Sequence, residues 1–245
     1  MPTKSPIEDL LVVSCHIGIF HASTVSMLPW APGIARREVF FANDVAVLPR
    51  AAARGWQAIS LASRLPISNS SLWSSLQSKY VKFLQFLNAD RDGYASVKRV
   101  IYFDDKESPS AGHLKRLLAL GEGCDVTIRR TPRNKSTVWE EAEDALSQER
   151  YRLNMPQTVS WVIRSIGHLR NGSISSNVMV VNTGLILYAN LTQTVARLAT
   201  PVYRHTQQLR QPECQIVWAV DSQRFPGKIC KIAFNELGQP ARHLY

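Results

Sequence analysis

V-K-R-V-I-Y-F-D-D, Val97 to Asp105, is the stretch from which the fold can be read. Its apolar residues, Val100 to Phe103, run together and end on two adjacent carboxylates. Continuous β-branched and aromatic runs of this kind suit strands buried on both faces, as in parallel sheets covered by helices. The stretch therefore predicts a central strand over 97–105, with Asp104 and Asp105 at its carboxyl end.

Outward from this strand, the same signal recurs. Leu10 to Ile19 is β-branched and apolar; Glu38-Val-Phe-Phe-Ala-Asn-Asp44 terminates at a carboxylate; Gly55 to Leu61 is a third short strand, and Asp125 to Arg129 a further one. Between them, Leu72, Trp73, Leu76, Tyr80, Phe83, Leu84 and Leu87 recur at helical spacing, which predicts one amphipathic helix over 71–89 with Lys79 and Lys82 on another face. Ser108-Pro109 reads as an N-cap and first helical residue of a helix that stops at Gly121. Thr137-Val-Trp-Glu140 has capping-box spacing and opens an acidic helix toward Tyr151. Val178 to Tyr188 reads as a strand pair or bent strand broken at Asn182-Thr183-Gly184, with helices over 192–209 and 213–222. Strands alternating with helices imply an α/β fold: an open, mostly parallel sheet flanked by helices. No linker divides the chain, so 1–245 reads as a single domain.

The apolar fraction of 45% and charged fraction of 20% exclude a disordered or fibrous chain. Lys and Arg outnumber Asp and Glu by 29 to 19, a surplus of +10 that favours anionic partners such as nucleotide phosphates, acidic polysaccharide, nucleic acid or a membrane surface. A merely solubilising surface accounts for it as well. The basic residues come in scattered pairs such as Lys98-Arg99 and Arg129-Arg130, with no nucleic-acid motif, so no nucleic-acid partner is expected. Cys15, Cys124, Cys214 and Cys230 lie far apart without a C-x-x-C pair and read as free thiols in a reducing compartment. Leu10 to Phe20 is shorter than the roughly 20 apolar residues a membrane span needs. The reading is a cytoplasmic protein with room for peripheral contact at a membrane.

Ligands of open α/β sheets bind outside the carboxyl ends of the strands. Three polar signals fall there: Asn43-Asp44, Asp104-Asp105 and Asn182-Thr183-Gly184. Two adjacent acids are costly to bury uncompensated. They make sense facing a cleft and a cation, and oxygen ligands of this kind suit Mg²⁺ or Mn²⁺. They make equal sense as caps of the helix near Ser108, or as a strand end in solvent.

The order of these features resembles the GT-A glycosyltransferases (nucleotide-diphospho-sugar transferases). More closely, it is similar to a glycosyltransferase-like family known from plant cell-wall polysaccharide formation and bacterial polysaccharide clusters. The resemblance is carried by Val12-Val-Ser-Cys-His-Ile-Gly18, Val39-Phe-Phe-Ala-Asn-Asp44, Gly55-Trp56, Lys79-Tyr-Val-Lys82-Phe-Leu, and Arg130-Thr-Pro-Arg133-Asn-Lys-Ser-Thr-Val-Trp-Glu140-Glu141-Ala-Glu143. Glu149-Arg-Tyr-Arg152, Asn182-Thr-Gly-Leu-Ile-Leu and Gln215-Ile-Val-Trp218 follow in order.

The resemblance implies a transferase that moves a sugar from a nucleotide-diphosphate donor to a glycan or lipid-linked acceptor, aided by a divalent cation (Mn²⁺ or Mg²⁺). It implies Asp104 and Asp105 at the metal and ribose, and Asp44 at the donor's base or ribose. Lys82 would reach the phosphates or sugar, Arg130 and Arg133 would clamp a phosphate or acidic acceptor, and Asn182 and Gly184 would give close backbone approach to the sugar. Glu213 and Gln215 belong to the catalytic set, with Glu213 or Asp221 as base if the reaction inverts. Solvated lysine and surface-loop arginines remain open for Lys82, Arg130 and Arg133, as does helix capping for Glu140 and Glu141. His16 and His21 read as structural, and Trp139, Trp161 and Trp218 as core; Trp30, in a Pro-rich loop, is the candidate for stacking on a sugar. Two departures stand out. Lys106 occupies the third position of the family's D-x-D motif, and Cys214 precedes Gln215 where an Asp is common. They imply weakened metal dependence, with Lys106 pairing with Asp105 or contacting the donor, or else a catalytically silent scaffold.

Overall fold

The structure is a computed structural model that describes residues 6–19, 28–131, 137–167 and 178–237. Its strands are β1 (Ile7–His16), β2 (Ala35–Ala42), β3 (Gln57–Ser60), β4 (Arg99–Phe103), β5 (Val126–Arg130), β6 (Val181–Tyr188) and β7 (Ile229–Ile232). They form one sheet in the order β3-β2-β1-β4-β6-β5-β7. β1 pairs in parallel with β2 and β4, β2 with β3, and β5 with β7, whereas β6 is antiparallel to both β4 and β5. The open, mostly parallel sheet expected from the sequence is present, with β4 at its centre.

Helices cover both faces: α1 (Leu48–Ala53), α2 (Ser71–Lys82), α3 (Gln85–Ala89), α4 (Ala111–Leu120), α5 (Val138–Leu146), α6 (Glu149–Arg152), α7 (Met155–Gly167), α8 (Leu191–Thr194), α9 (Thr200–Leu209) and α10 (Cys214–Asp221). A π turn over Val195–Ala199 joins α8 to α9, just ahead of Pro201. The alternation of strand side chains decides which helices cover which face. Leu11, Val13, Phe41, Val100, Tyr102, Ile186 and Tyr188 point to the side packed by Val81, Phe83, Leu84, Val217 and Trp218 of the α2, α3 and α10 layer. Leu10, Val12, Phe40, Ile101, Phe103, Leu185 and Leu187 point to the other, against Ala51 of α1 and Leu114 and Leu117 of α4.

Four sequence expectations change. The helix over 71–89 is two helices, because Leu84 adopts a left-handed conformation (φ 59°) between α2 and α3. With the chain turned at Leu84, Phe83, Leu84 and Phe86 are all buried in one cluster. The helix after β4 is capped by Ser110, not Ser108: its Oγ accepts from the His113 amide at 3.2 Å while its own amide donates to His113 Nδ1 at 3.3 Å. Asn182-Thr183-Gly184 does not break a strand but begins one. Because β6 runs antiparallel, its start lies at the edge where the parallel strands end, and the register against β5 shifts between Ile128 and Arg129.

The fourth change concerns the cysteines. Cys124 and Cys230 form a disulfide, their Cα atoms 6.0 Å apart, between the start of β5 and the edge strand β7. Only Cys15 and Cys214 are free, and both are buried. A separation of 106 residues gave no sign of this pairing, because β7 itself has too short an apolar run to be recognised as β5's neighbour. The bond removes the argument for a reducing compartment, since such bonds persist where the environment oxidises. Among the described residues, no helix is long and apolar enough to cross a membrane.

Candidate functional site

A cleft of about 400 Å³ opens at the carboxyl edge of the parallel strands. Its floor is the end of β1 (Cys15, His16), the end of β4 (Tyr102, Asp104, Asp105) and the start of β6 (Asn182, Thr183, Gly184). α2 forms one wall with Ser71, Ser74, Ser75, Ser78, Lys79 and Lys82, and α6 and the start of α10 form the other with Arg150, Tyr151, Glu213, Cys214 and Gln215. Lys106 and Glu107 lie at its margin on the loop after β4.

Asp104 is the electrostatic centre. Its Oδ1 accepts from Lys82 Nζ at 2.9 Å and from the Tyr102 hydroxyl at 2.7 Å. Lys82 is 4% exposed, so water screens the pair little. Burial pushes the Lys82 ammonium down, but Asp104, with Cys214 and Glu213 adding, more than reverses this and holds it above its ordinary value. Burial pushes the Asp104 carboxyl up; Lys82, Lys79 and Lys106 together outweigh that and hold it below the usual range. The neighbouring Tyr102 hydroxyl is pushed well up by burial and by Asp104.

Asp105 turns the other way, its Oδ2 2.8 Å from His16 Nδ1. Burial pulls the imidazole down, while the Asp105 hydrogen bond and charge raise it, and the net effect is upward. Glu107 pairs with the buried Arg129 at 2.5 Å, and Arg129 also donates to Asn182 Oδ1 at 3.3 Å. That oxygen in turn accepts from the Gly184 amide at 2.8 Å, which fixes the start of β6. Glu213 caps α10, accepting from the Gln215 amide at 3.2 Å, and Thr183 Oγ1 lies 3.5 Å from Cys214 Sγ.

The structure thus brings Lys82, Asp104, Asp105, Asn182, Gly184, Glu213 and Gln215 into one cleft. Other expected residues lie elsewhere. Asp44 follows the end of β2 at the same sheet edge, where its side chain accepts from the Ala46 amide at 2.9 Å and caps the next turn, and it does not line the cleft. Arg130 is exposed and lines a separate depression with Lys231 and Met179, while Arg129 is the arginine turned inward. Arg133 and His21 fall outside the described residues. Glu140 caps its helix reciprocally with Thr137, and Glu141 only touches the cleft indirectly, through Gln215 Nε2 at 3.3 Å. Asp221 sits at the far end of α10, paired with His205 at 2.8 Å. Trp30 is 67% exposed at the opposite sheet edge, where Pro29 and Ala31 bond to Trp56 and Arg54 ahead of β3. Trp218 is core as expected, but Trp139 is exposed.

His16, Tyr102, Arg129, Arg150 and Tyr151 were not assigned to the site from sequence. For His16, a signal existed: it ends β1 beside a strand ending in two acids, as the pairing of Val13 with Tyr102 requires. Arg150 and Tyr151 reach the cleft on the short helix α6, within the Glu149–Arg152 segment that the resemblance singles out, but its four residues are too few for a periodicity to show which way they face.

The residues do not fit the divalent cation that the family resemblance implies. Asp104 Oδ1 already holds an ammonium and a hydroxyl, and Asp105 Oδ2 holds an imidazole. Among the described residues, no group of three His, Cys, Asp or Glu side chains is placed to hold a metal.

No protein-family model matches the chain, and no curated protein matches it. Solved structures do. Mouse xyloside xylosyltransferase 1, in its apo form, superposes with a TM-score of 0.46 at 11% identity, over 92% of this chain and 85% of that one. Glucosyl-3-phosphoglycerate synthase of M. tuberculosis gives 0.42 at 13% identity, over 96% and 73%. A mycobacterial protein gives 0.42 at 14%, over 91% and 65%.

Proposed function

We propose that the chain is a single-domain GT-A-like glycosyltransferase that takes a sugar from a nucleoside-diphosphate donor and passes it to a glycan or lipid-linked acceptor. One observation carries this reading: the strand-end acids Asp104 and Asp105 share a cleft with Lys79, Lys82, Lys106 and the Asn182–Gly184 backbone. Carboxylates suit ribose and sugar hydroxyls, and the ammonium groups suit phosphates. The size fits a nucleotide sugar, since small-molecule sites commonly enclose ~300–1,000 Å³.

In the proposed reaction, the bond between the anomeric carbon and the β-phosphate oxygen breaks, and a bond to an acceptor hydroxyl oxygen forms. Negative charge collects on the departing diphosphate, where fixed positive charges stabilise the transition state more than the ground state. The acceptor's proton passes to a carboxylate, a role for which Glu213, which lines the same cleft as Lys82, is the candidate. Calorimetry against UDP, GDP, ADP and CDP tests the reading. One of them is expected to bind, and the corresponding nucleotide sugars to release that nucleotide on incubation. Binding by none, with or without Mn²⁺, overturns it.

A further inference from the structure

We infer that the nucleoside diphosphate is held in this cleft without a divalent ion, its charge met by Lys82 together with Lys79 and Lys106. The inference rests on the glycosyltransferase reading and adds the means by which the diphosphate is bound. Lys82 Nζ is fixed 2.9 Å from Asp104 Oδ1, on one of the two carboxylates to which the family resemblance assigns the ion. It is also fixed from behind: the carbonyl of Lys82 accepts from the Tyr188 hydroxyl at 3.0 Å, and the Phe83 amide bonds back to Lys79 at the end of α2. The ammonium is therefore a built-in cation, positioned before any ligand arrives.

The charge balance points the same way. Asp104, Asp105, Glu107 and Glu213 bring four negative charges to the cleft. Lys79, Lys82, Lys106 and Arg150 line it with four positive charges, and Arg129 behind Glu107 adds a fifth. His16, paired with Asp105, is the sixth when protonated. The surplus is one positive charge, or two when His16 is protonated, which is of the size that the two phosphate charges of a nucleotide sugar require. A divalent ion would leave the occupied cleft with excess positive charge. Asp104 then does not ligate metal; it anchors Lys82 and leaves its second oxygen for a hydroxyl group.

The test is calorimetric titration of the whole chain with UDP, GDP, ADP and CDP, once in excess EDTA and once in excess Mn²⁺. The nucleotide that binds is expected to do so with nearly equal affinity in both. Lys82→Met is expected to weaken binding in EDTA by at least about tenfold, or about 1.4 kcal/mol. Mn²⁺ should restore much of the loss, because Asp104 is then free to hold an ion. A lysine that only supports packing would not produce this new metal dependence. Should Lys82→Met fail to fold, the exposed Lys106→Ala supplies the readout, with weaker binding in EDTA and an unchanged melting temperature. Binding by the parent only with Mn²⁺ overturns the inference while leaving the glycosyltransferase reading intact. Binding in neither condition overturns both.

Discussion

The amide of Asp104 donates to the carbonyl of Gly184 at 2.9 Å, so the acidic loop after β4 is held to the start of β6 by the last rung of the central ladder. The same glycine faces the carboxylates. A Cβ on Gly184 would lie 2.9 Å from both Asn182 Oδ1 and Glu107 Oε1, and 3.4 Å from Asp104 Oδ2. Gly184→Ala therefore moves side-chain ends in the cleft without straining the backbone. The expected stability loss is about 1 kcal/mol, at the low end of overpacking. Nucleotide affinity should fall further than stability does, which calorimetry and a denaturant titration measure side by side.

Asp104→Ala leaves Lys82 buried without its carboxylate. Removing one member of such a pair costs about 3–5 kcal/mol, so a marked fall in melting temperature is expected. Asp104→Ala/Lys82→Met removes both charges and should recover much of the loss. Equal melting temperatures for the parent and Asp104→Ala would show that the pair adds nothing to stability.

The His16–Asp105 pair gives a pH signature. Its folded imidazole titrates above the ordinary 6.5, raised by Asp105 against the opposing effect of burial. The protonated form is therefore favoured by folding, and this stability is fully present below 6.5 and lost as pH rises through the folded value. Urea midpoints of the parent and Asp105→Asn, compared from about pH 5 to pH 9, are expected to differ most at the acid end and to converge on the alkaline side. A difference that grows with pH would contradict the pairing.

Much of this site was legible in the sequence, and the reason is local. Asp104 and Asp105 follow an apolar run, and their place at a strand's carboxyl end is dictated by the run itself. Lys82 shares a helix face with Lys79 by spacing alone, and the Thr137–Glu140 capping box has a fixed offset. What stayed hidden depends on which strands become neighbours. Nothing near Cys124 announces Cys230, and nothing in Asn182-Thr183-Gly184 says that the strand runs antiparallel. The choice between Arg129 and Arg130 likewise turns on a register shift that exists only once β5 meets β6.

The disulfide supplies a further test. It closes a separation of 106 residues, and a loop of that length contributes roughly 3–5 kcal/mol in the chain-entropy picture. Cys124→Ser/Cys230→Ser should lower the denaturant midpoint accordingly. Thiol titration of the unfolded parent is expected to count two thiols before reduction and four after. In the folded protein, Cys15 should stay silent, its thiol pushed up to about 12 by burial, with Asp105 and Asp104 adding to the shift.

The antiparallel placement of β6 also sets an order of assembly. β4 is complete once residue 103 has been made, but the strand that covers its second edge starts 78 residues later, at Val181. At ~5–20 residues per second, a nascent chain carries that bare edge for about 4–16 s. An uncovered edge of buried apolar residues is a template for pairing with another chain. The cleft is complete only when β6 arrives, so a ribosome-bound chain shorter than this has the acids and the lysine but only part of the floor on which to set a nucleotide. Slowed synthesis between β5 and β6 adds its own delay to that exposure.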